Sequence, residues 1–259
     1  MDKQTISRDG TPIAYERSGD GPAVILVSGA MSTGATVAPL AGSLSDRCTV
    51  LAYDRRGRGA SGDTAPYAVD REVEDLAALI DAAGGEAALY GVSSGGALAL
   101  RAAASGLPVR QVAVYEVPYA LDDASARERA EYTESLTAAL GDGRKGDAVA
   151  LFLSLTGLAP QLIQGARQSP MWSEMETIAP TLAYDDQVMA GGRIPHDLLT
   201  RVTCPVLALA GGASEEWMRR AARAVAEAVP EGTYRVLTDQ NHMVEPGVLG
   251  PVLGEFFAG

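Results

Sequence analysis

One serine in this sequence, Ser93, occupies a position at which a hydroxyl could act as a nucleophile. It lies in the stretch AALYGVSSGGALALRAAASG, where a short apolar run leads into Gly91-Val92-Ser93-Ser94-Gly95. Small residues and leucines then recur at helical spacing until a glycine stops them. This pattern predicts a strand, a sharp turn and a helix, with a serine at the apex of the turn.

The flanking residues decide which serine is at the apex. A strained strand-to-helix turn crowds the positions two before and two after the apex, so only very small residues fit there. Ser93 has Gly91 and Gly95 at these positions, whereas Ser94 would have the β-branched Val92 at the first of them. Ser93 is therefore the predicted nucleophile. The alternative is an ordinary turn whose serine only caps the helix.

A serine hydroxyl is a weak nucleophile at neutral pH and needs a base, which a third group must hold in the right orientation. The sequence has two histidines, His196 and His242. His242 follows the last predicted strand, and a loop there can reach the turn at Ser93, so we predict that His242 is the base. His196 lies at the end of a helical region, where we expect a surface or hinge residue.

The group that orients the base is expected to be a carboxylate. Glu116 is the favoured candidate, because it directly follows the predicted strand Val109–Tyr115. A carboxylate after the strand Val206–Ala210 would be the usual choice, but that loop has no Asp at the expected place. A loop-bracing role for Glu116 also stays open. The alternative acids are Glu215, Glu216 and Asp185.

The elements that must position these groups alternate between strands and helices. Apolar runs without a polar face, such as Ala23–Val27, are typical of strands covered on both sides. Together with a hairpin at the start, the alternation predicts an α/β fold with a mostly parallel, doubly wound sheet. Ligands bind at the carboxyl ends of the strands in such sheets. The remaining predicted strands are Gln4–Ser7, Pro12–Arg17, Thr49–Tyr53, Ala87–Tyr90 and Thr233–Thr238, and predicted helices include Val37–Leu44, Asp70–Ala83, Glu215–Val229 and Pro246–Phe257.

Residues 119–199 have a different character. Strand signals vanish and helical periodicity replaces them, which predicts a helical lid inserted into a core of residues 1–118 and 200–259. Apolar residues in this region suit a medium-sized hydrophobic acyl or ring compound, and they are also what a lid needs to pack on itself. The predicted helical stretches are Ala126–Leu140, Gly146–Thr156, Pro160–Gln168 and Ser173–Ala190.

Two glycine-rich loops follow early strands. The small residues of Ser28–Gly34 let backbone N–H groups approach a ligand, so this loop either supplies donors for an oxyanion or is a simple connection. In the next loop, we expect Asp54 to hydrogen-bond the loop backbone. We expect the arginines of that loop to be solvated rather than to form an anion site; they are Arg55, Arg56 and Arg58.

Composition limits the partners. The formal charge of −12, spread over 259 residues, argues against nucleic acid or an anionic membrane as a partner and favours a small-molecule substrate. The N-terminus lacks a basic-then-apolar pattern, and no apolar window reaches the roughly eighteen residues of a membrane span, so we expect a cytoplasmic protein. The expected state is a monomer or a homodimer. We expect no metal and no cofactor. Cys48 and Cys204 are predicted to be buried thiols.

Six motifs, VSGAMS, YDRRGRGASG, GVSSGG, VYEVP, LALAGG and QNHMVEP, resemble the α/β-hydrolase fold superfamily over nearly the whole chain. The resemblance implies an eight-stranded sheet in the order 1-2-4-3-5-6-7-8, with helices on both faces. It implies Ser93 as nucleophile, His242 as base, and the backbone amides of Ala30 and Ser94 as oxyanion donors. An acid after the sixth strand is a known variant in this family, as in haloalkane dehalogenases, and Glu116 fits it.

The implied strand order also places Cys48 on strand four and Cys204 on strand seven, too far apart for a disulfide. Two features depart from the family pattern. Many members have His-Gly where this chain has Ser28-Gly29, and most have an Asp after the seventh strand.

A serine nucleophile favours acyl chemistry. Relatives on this fold that open epoxides or displace halide use Asp, because a serine alkylated in this way would become an ether that water cannot release. We expect an ester or lactone substrate; amides, thioesters and carbon–carbon bonds next to a carbonyl are also compatible. A lyase or cyclase that uses Ser93 and His242 as acid and base, and a non-catalytic binding protein, stay open. The predicted substrate contacts are Met31, Met171, Trp172, Met175 and Met243.

Overall fold

A single eight-stranded sheet forms the centre of the computed structural model, which describes residues 2–258. The strand order is β1-β2-β4-β3-β5-β6-β7-β8. The first two pairs, β1 with β2 and β2 with β4, are antiparallel, and every other pair is parallel. This order confirms the predicted fold class. The strands are β1 (Asp2–Ile6), β2 (Pro12–Ser18), β3 (Ala23–Val27), β4 (Thr49–Tyr53), β5 (Ala87–Val92), β6 (Val109–Tyr115), β7 (Val206–Gly211) and β8 (Gly232–Leu237).

Helices cover both faces of the sheet. Apolar residues of α2, α3 and α10 form one buried cluster with one face, and those of α1 and α11 form a second cluster with the other. The strands β3, β4 and β7 between them are buried along their whole length, which explains their lack of a polar face. The helices are α1 (Gly34–Leu44), α2 (Val69–Ala83), α3 (Ser94–Ala104), α4 (Asp123–Gly141), α5 (Lys145–Leu155), α6 (Pro160–Ala166), α7 (Met171–Ile178), α8 (Leu182–Met189), α9 (His196–Leu199), α10 (Glu216–Ala228) and α11 (Pro246–Ala258).

The helices α4 to α9 lie between β6 and β7 in the chain, and residues of α4 to α8 form a buried apolar cluster of their own. The predicted helix Ser173–Ala190 is not continuous. It consists of α7 and α8, separated by a short 3-10 helix at Ala179–Thr181. Pro180 explains the break, because proline has no N–H for the helical hydrogen bond and its ring clashes with the preceding turn.

The prediction that Arg55, Arg56 and Arg58 are solvated is wrong. The three residues are only 1%, 0% and 2% exposed, and buried carboxylates neutralise their charges. Arg56 shows the arrangement: its Nη2 lies 2.6 Å from Asp75 Oδ1, and its Nη1 lies 2.9 Å from Asp9 Oδ2. A buried guanidinium is tolerated only with such partners.

The prediction for Asp54 is confirmed. Its Oδ1 accepts a hydrogen bond from the backbone N–H of Gly34, and its Oδ2 accepts one from Ala60. The two cysteines, Cys48 and Cys204, are buried and free, as predicted, and lie near β4 and β7 with three other strands between them. No helix within residues 2–258 combines the length and apolar character needed to cross a lipid bilayer.

Replacing Arg56 by Met should destabilise the fold. The change leaves the carboxylates of Asp75 and Asp9 without their guanidinium, and removing one partner of a buried pair costs about 3–5 kcal/mol. Urea unfolding at neutral pH measures the free energy of unfolding.

The control is Arg144→Met. Arg144 also pairs with two aspartates, Asp142 and Asp147, but these groups are exposed. Exposed ion pairs contribute little, so this variant should unfold at the wild-type urea concentration. Equal effects of the two substitutions would contradict the role assigned to burial.

Candidate active site

Ser93 lies at the turn between β5 and α3, at the carboxyl end of the sheet. Its backbone is strained, with φ 55° and ψ −127°, and its N–H donates to the carbonyl of Tyr115 over 3.0 Å. A Cβ atom on Gly91 would lie 2.6 Å from Gly96 Cα, and one on Gly95 would lie 2.6 Å from the carbonyl oxygen of Ser28. Only glycine fits at both positions, which is the crowding that the sequence predicts.

The Ser93 hydroxyl does not cap the helix. Ser93 is the N-cap residue of α3, yet its side chain accepts no hydrogen bond from the first turn. Within residues 2–258, Ser93 Oγ has no hydrogen bond to any other protein group, so the hydroxyl is not committed to a structural contact. The alternative of a mere capping serine therefore lacks its defining contact.

His242 and Glu116 form a close pair. Glu116 directly follows β6 and is fully buried, and its Oε2 lies 2.8 Å from His242 Nδ1. Its other oxygen, Oε1, accepts a hydrogen bond from the N–H of Gly211 over 2.8 Å. Burial alone would raise the pKa of Glu116, but the hydrogen bonds from His242 and Gly211 outweigh burial and lower the pKa below its ordinary value.

This pairing fixes the tautomer of the imidazole. An ionised carboxylate only accepts hydrogen bonds, so the proton lies on His242 Nδ1 and leaves Nε2 as an acceptor. The His242 side chain is 42% exposed, whereas Glu116 is fully buried. Ser93 and Glu116 end neighbouring strands, since the N–H of Ser93 bonds the carbonyl of Tyr115 just before Glu116. The three predicted groups therefore lie at the same edge of the sheet, with a hydrogen bond between His242 and Glu116 and none between His242 and Ser93 Oγ among the described residues.

The alternative carboxylates have other partners and none contacts His242. Glu215 and Glu216 lie at the start of α10, and Asp185 lies in α8, buried beneath Ser94. Their partners are Trp217 for Glu215, Arg219 for Glu216, and Arg55, Arg58 and Ser94 for Asp185. The other histidine, His196, is exposed at the start of α9.

The loop between β3 and α1 runs directly against Ser93. A Cβ atom on Gly29 would lie 3.2 Å from Ser93 Cβ and 3.9 Å from its Oγ. The next residue is Ala30, whose N–H has no hydrogen-bond acceptor within residues 2–258, and the same holds for the N–H of Ser94. Two backbone N–H groups without an acceptor therefore lie in the two segments that adjoin Ser93: one in the β3–α1 loop and one at the start of α3.

Backbone strain gathers around this edge of the sheet. Five described non-glycine residues have a positive φ. One of them, Ala190, ends α8, and the other four lie in loops at this edge of the sheet. Such conformations cost free energy and persist where the surrounding structure enforces them, often at functional sites. The four are Met31 in the β3–α1 loop, Ser93, Glu116, and Asp239 three residues before His242.

A buried charge cluster behind Ser93 was not foreseen from the sequence. Arg55 pairs with Glu72 and with Asp185, and Asp185 also pairs with Arg58. Burial alone would raise the pKa of Asp185, but Arg58 and Arg55 outweigh burial, so the pKa lies below its ordinary value. The sequence contains one indication of this cluster: Glu72 is next to Val73, a residue of the apolar face of α2, so Glu72 borders that face.

The predicted substrate contacts do not share one environment. Trp172 is buried in the core of the helical region, and its Nε1 donates to Glu176 over 3.1 Å. Met31 and Met175 pack against the same core. The two remaining residues are mostly exposed: Met171 by 63% and Met243 by 82%.

Comparisons with known proteins agree on one family. Residues 24–246 match the model of the alpha/beta hydrolase family. The crystal structure of an alpha/beta hydrolase from Sphaerobacter thermophilus DSM 20745 is 50% identical, with a TM-score of 0.89 over 98% of this chain and 100% of that chain. A thermophilic esterase from Thermogutta terrifontis, solved with malate bound, is 22% identical with a TM-score of 0.71, over 99% of this chain and 96% of that one; it shows a shared fold.

A shorter similarity reaches a much larger protein. Over 89 residues, or 34% of this chain, the sequence is 40% identical to the polyketide synthase ThaQ from Burkholderia thailandensis. The match covers 4% of that protein, so this chain spans a small fraction of the curated relative's length.

Replacing Gly95 by Ala should disrupt the turn. The added methyl group would meet the backbone of the β3–α1 loop, and overpacking of this kind costs at least about 1–3 kcal/mol. The control is Gly42→Ala in α1, where nothing lies within 4 Å of the added atom. There we expect stability to stay or rise by about 0.5–1 kcal/mol. Urea unfolding measures both, and a Gly95→Ala variant as stable as Gly42→Ala would contradict the crowding.

The pKa shift of Glu116 makes its contribution to stability depend on pH. The folded pKa is the lower one, so the contribution is complete above the unfolded pKa of about 4.3 and is lost as pH falls through the folded pKa. The difference in free energy of unfolding between wild type and Glu116→Gln should therefore shrink as pH falls from about 5 to about 3. Urea unfolding across this range measures it.

The control for this pH series is Glu134→Gln. Glu134 is exposed on α4 and has no hydrogen bond or ion pair in the part of the chain that the structure describes. Its difference from wild type should stay constant with pH. A difference for Glu116→Gln that is equally constant would show that the ionised form of Glu116 is not favoured by folding.

Proposed function

Because the chain belongs to the alpha/beta hydrolase family, we propose that it is a serine hydrolase that cleaves an ester or lactone of a medium-sized apolar molecule through an acyl-enzyme intermediate. The observation that carries this proposal is a strained, uncapped Ser93 at the same edge of the sheet as a His242–Glu116 pair whose carboxylate is fully buried. A nucleophile, a base and a group that orients the base are the parts that acyl transfer needs.

In the acylation step, His242 Nε2 takes the proton of Ser93 Oγ as this oxygen bonds to the substrate carbonyl carbon. The carbonyl π electrons move to the oxygen, which receives hydrogen bonds from the N–H groups of Ala30 and Ser94. Ionised Glu116 stabilises the imidazolium that forms. The imidazolium then gives its proton to the leaving oxygen while the carbon–oxygen bond breaks, and the acyl group stays on Ser93.

Deacylation repeats these roles with water. His242 takes a proton from water, whose oxygen bonds to the acyl carbon, and the tetrahedral intermediate collapses as Ser93 Oγ leaves and is protonated. An ester on serine can be hydrolysed in this way, whereas an ether cannot. A serine nucleophile therefore favours acyl substrates over epoxides and alkyl halides.

Residues 119–199 act in this proposal as a lid. The support is a contact: Ala30 and Met31, from the loop beside Ser93, pack against the apolar core that Trp172 and Leu182 help to form. The helical region therefore lies over the carboxyl edge of the sheet, where substrate must enter. Half-buried Met31 and Met175 offer adaptable apolar surface there, while Trp172 serves the packing of the lid itself.

The test is turnover of p-nitrophenyl butyrate with analysis of the initial burst. Ser93→Ala and His242→Gln should lower kcat by at least about 10⁴-fold, and Glu116→Gln by about 10³- to 10⁴-fold because the imidazole loses its correct tautomer. Ser105→Ala, at an exposed serine at the end of α3, is the matched control and should keep wild-type kinetics.

A fluorophosphonate identifies the nucleophile directly, because it leaves a covalent phosphonyl group that mass spectrometry can locate. We expect the adduct on Ser93 in wild type and none in Ser93→Ala. A lyase, a cyclase or a binding protein would show little burst, and a Ser93→Ala variant that turns over the ester like wild type would refute the proposal.

A further inference from the structure

The buried charge cluster contacts the loop that carries the proposed oxyanion donor. Arg58 Nη1 donates to the carbonyl oxygen of Gly29 over 2.6 Å and to that of Ser32 over 3.2 Å. Arg55 Nη1 donates to the carbonyl oxygen of Ser28 over 3.3 Å. Three carbonyls of one short loop therefore point inward, towards two buried guanidinium groups.

The contact with Gly29 determines where Ala30 points its amide. The carbonyl of Gly29 and the N–H of Ala30 belong to one planar trans peptide unit, in which they point in opposite directions. When Arg58 holds the carbonyl of Gly29, the N–H of Ala30 points away from the guanidinium. Gly29, which shares this peptide unit, lies against Ser93, since a Cβ atom on it would be 3.2 Å from Ser93 Cβ. The residue after this peptide unit, Met31, is strained at φ 55°, so the loop needs such a hold.

One carboxylate connects this loop to the second proposed donor. Asp185 accepts from Arg55 through Oδ1 and from Arg58 through Oδ2, and its Oδ1 also accepts from the hydroxyl of Ser94 over 2.7 Å. Ser94 is the residue whose backbone N–H is the other proposed donor. Asp185 thus touches one donor residue directly and orients the other through Arg58.

We propose that Asp185, which belongs to the helical lid, is a positioning residue that sets the distance and orientation of the two oxyanion donors, the amides of Ala30 and Ser94. The inference rests on the proposed function and adds a residue to it. Asp185 does not touch substrate. It acts through Arg58 and Ser94, and a donor misplaced by about 1 Å can lower the rate by about 10²-fold.

Nothing else in the cluster can replace this carboxylate. The other carboxylate on Arg55, that of Glu72, lies on the opposite side, with Oε1 and Oε2 both 2.7 Å from Arg55. Arg58 has Asp185 as its only described carboxylate partner, and Thr181 accepts from its Nε over 3.1 Å. Loss of the Asp185 charge therefore leaves Arg58 buried without a counter-ion and free to turn away from Gly29.

The variant that tests this inference is Asp185→Asn. Misplaced donors weaken binding of the transition state and not of the ground-state ester, so kcat should fall about 10- to 100-fold with KM nearly unchanged. The rate at which a fluorophosphonate modifies Ser93 should fall in parallel, because that reaction also develops charge on the oxygen. The total adduct at completion counts the folded enzyme and should equal that of wild type.

The matched control is Asp186→Asn. Asp186 is the next residue of α8 and accepts a hydrogen bond from the Thr133 hydroxyl over 3.0 Å. Among the described residues it forms no ion pair with Arg55 or Arg58. It loses the same charge from the same helix and should keep the wild-type kcat and modification rate. The inference would be overturned if Asp185→Asn and Asp186→Asn had equal kcat values and equal modification rates. It would also be overturned if a smaller amount of total adduct, and hence of folded enzyme, accounted for the whole loss of activity in Asp185→Asn.

A second variant decides the question if Asp185→Asn does not fold. Ser94→Ala removes only the hydroxyl that bonds Asp185 and keeps the backbone amide, and it should lower kcat in the same direction but less. Ser94→Ala with wild-type kcat and modification rate would overturn the inference. A wild-type enzyme that neither hydrolyses the ester nor forms the adduct would instead overturn the proposed function itself.

Discussion

The strained backbone at Ser93 is the constraint on which the site depends. A non-glycine residue at φ 55° is held there by a close fit of the start of α3 against the ends of β5 and β3, in which Gly91 and Gly95 have no room for a side chain. The hydrogen bond from Ser93 N–H to Tyr115 ties the turn to the next strand. The same close fit places Ser93 against the loop at Gly29 and beside the end of β6, which Glu116 follows.

Buried charge is the second constraint. The charged side chains contact the β3–α1 loop and Ser94, the residue after the turn. Arg55 and Arg58 are almost completely inaccessible, so their stability depends on complete pairing with Glu72 and Asp185. A network of this kind tolerates few arrangements, because every donor needs its acceptor. The network fixes the geometry of the glycine-rich loops, which would be flexible on the basis of their composition alone.

Local patterns predicted the mostly parallel sheet and placed Ser93, Glu116 and His242 just after strands, at the carboxyl edge. The strand order was implied only by the resemblance to the α/β-hydrolase fold. The sequence did not predict the buried arginines. Arg55 pairs with Asp185, which is 130 residues away, and local patterns cannot reveal such partners. The break of the predicted helix at Pro180 was readable, since a proline inside a helical pattern ends or kinks it.

One helix of the region between β6 and β7, α8, is tied to the rest of the molecule by the buried charge cluster. Helix α8 carries Asp185 and also Tyr184, whose ring stacks on Tyr67 of the core at 3.8 Å between centroids and whose hydroxyl donates to Asp63. Moving α8 would separate buried guanidinium groups from their carboxylate, which costs more than a surface rearrangement. The ion pairs at the ends of α5 and α6, Arg144–Asp147 and Arg167–Asp147, are by contrast largely exposed. Exposed pairs contribute little, so Asp185 of α8 makes the strongest electrostatic tie between this helical region and the loops after β3 and β4.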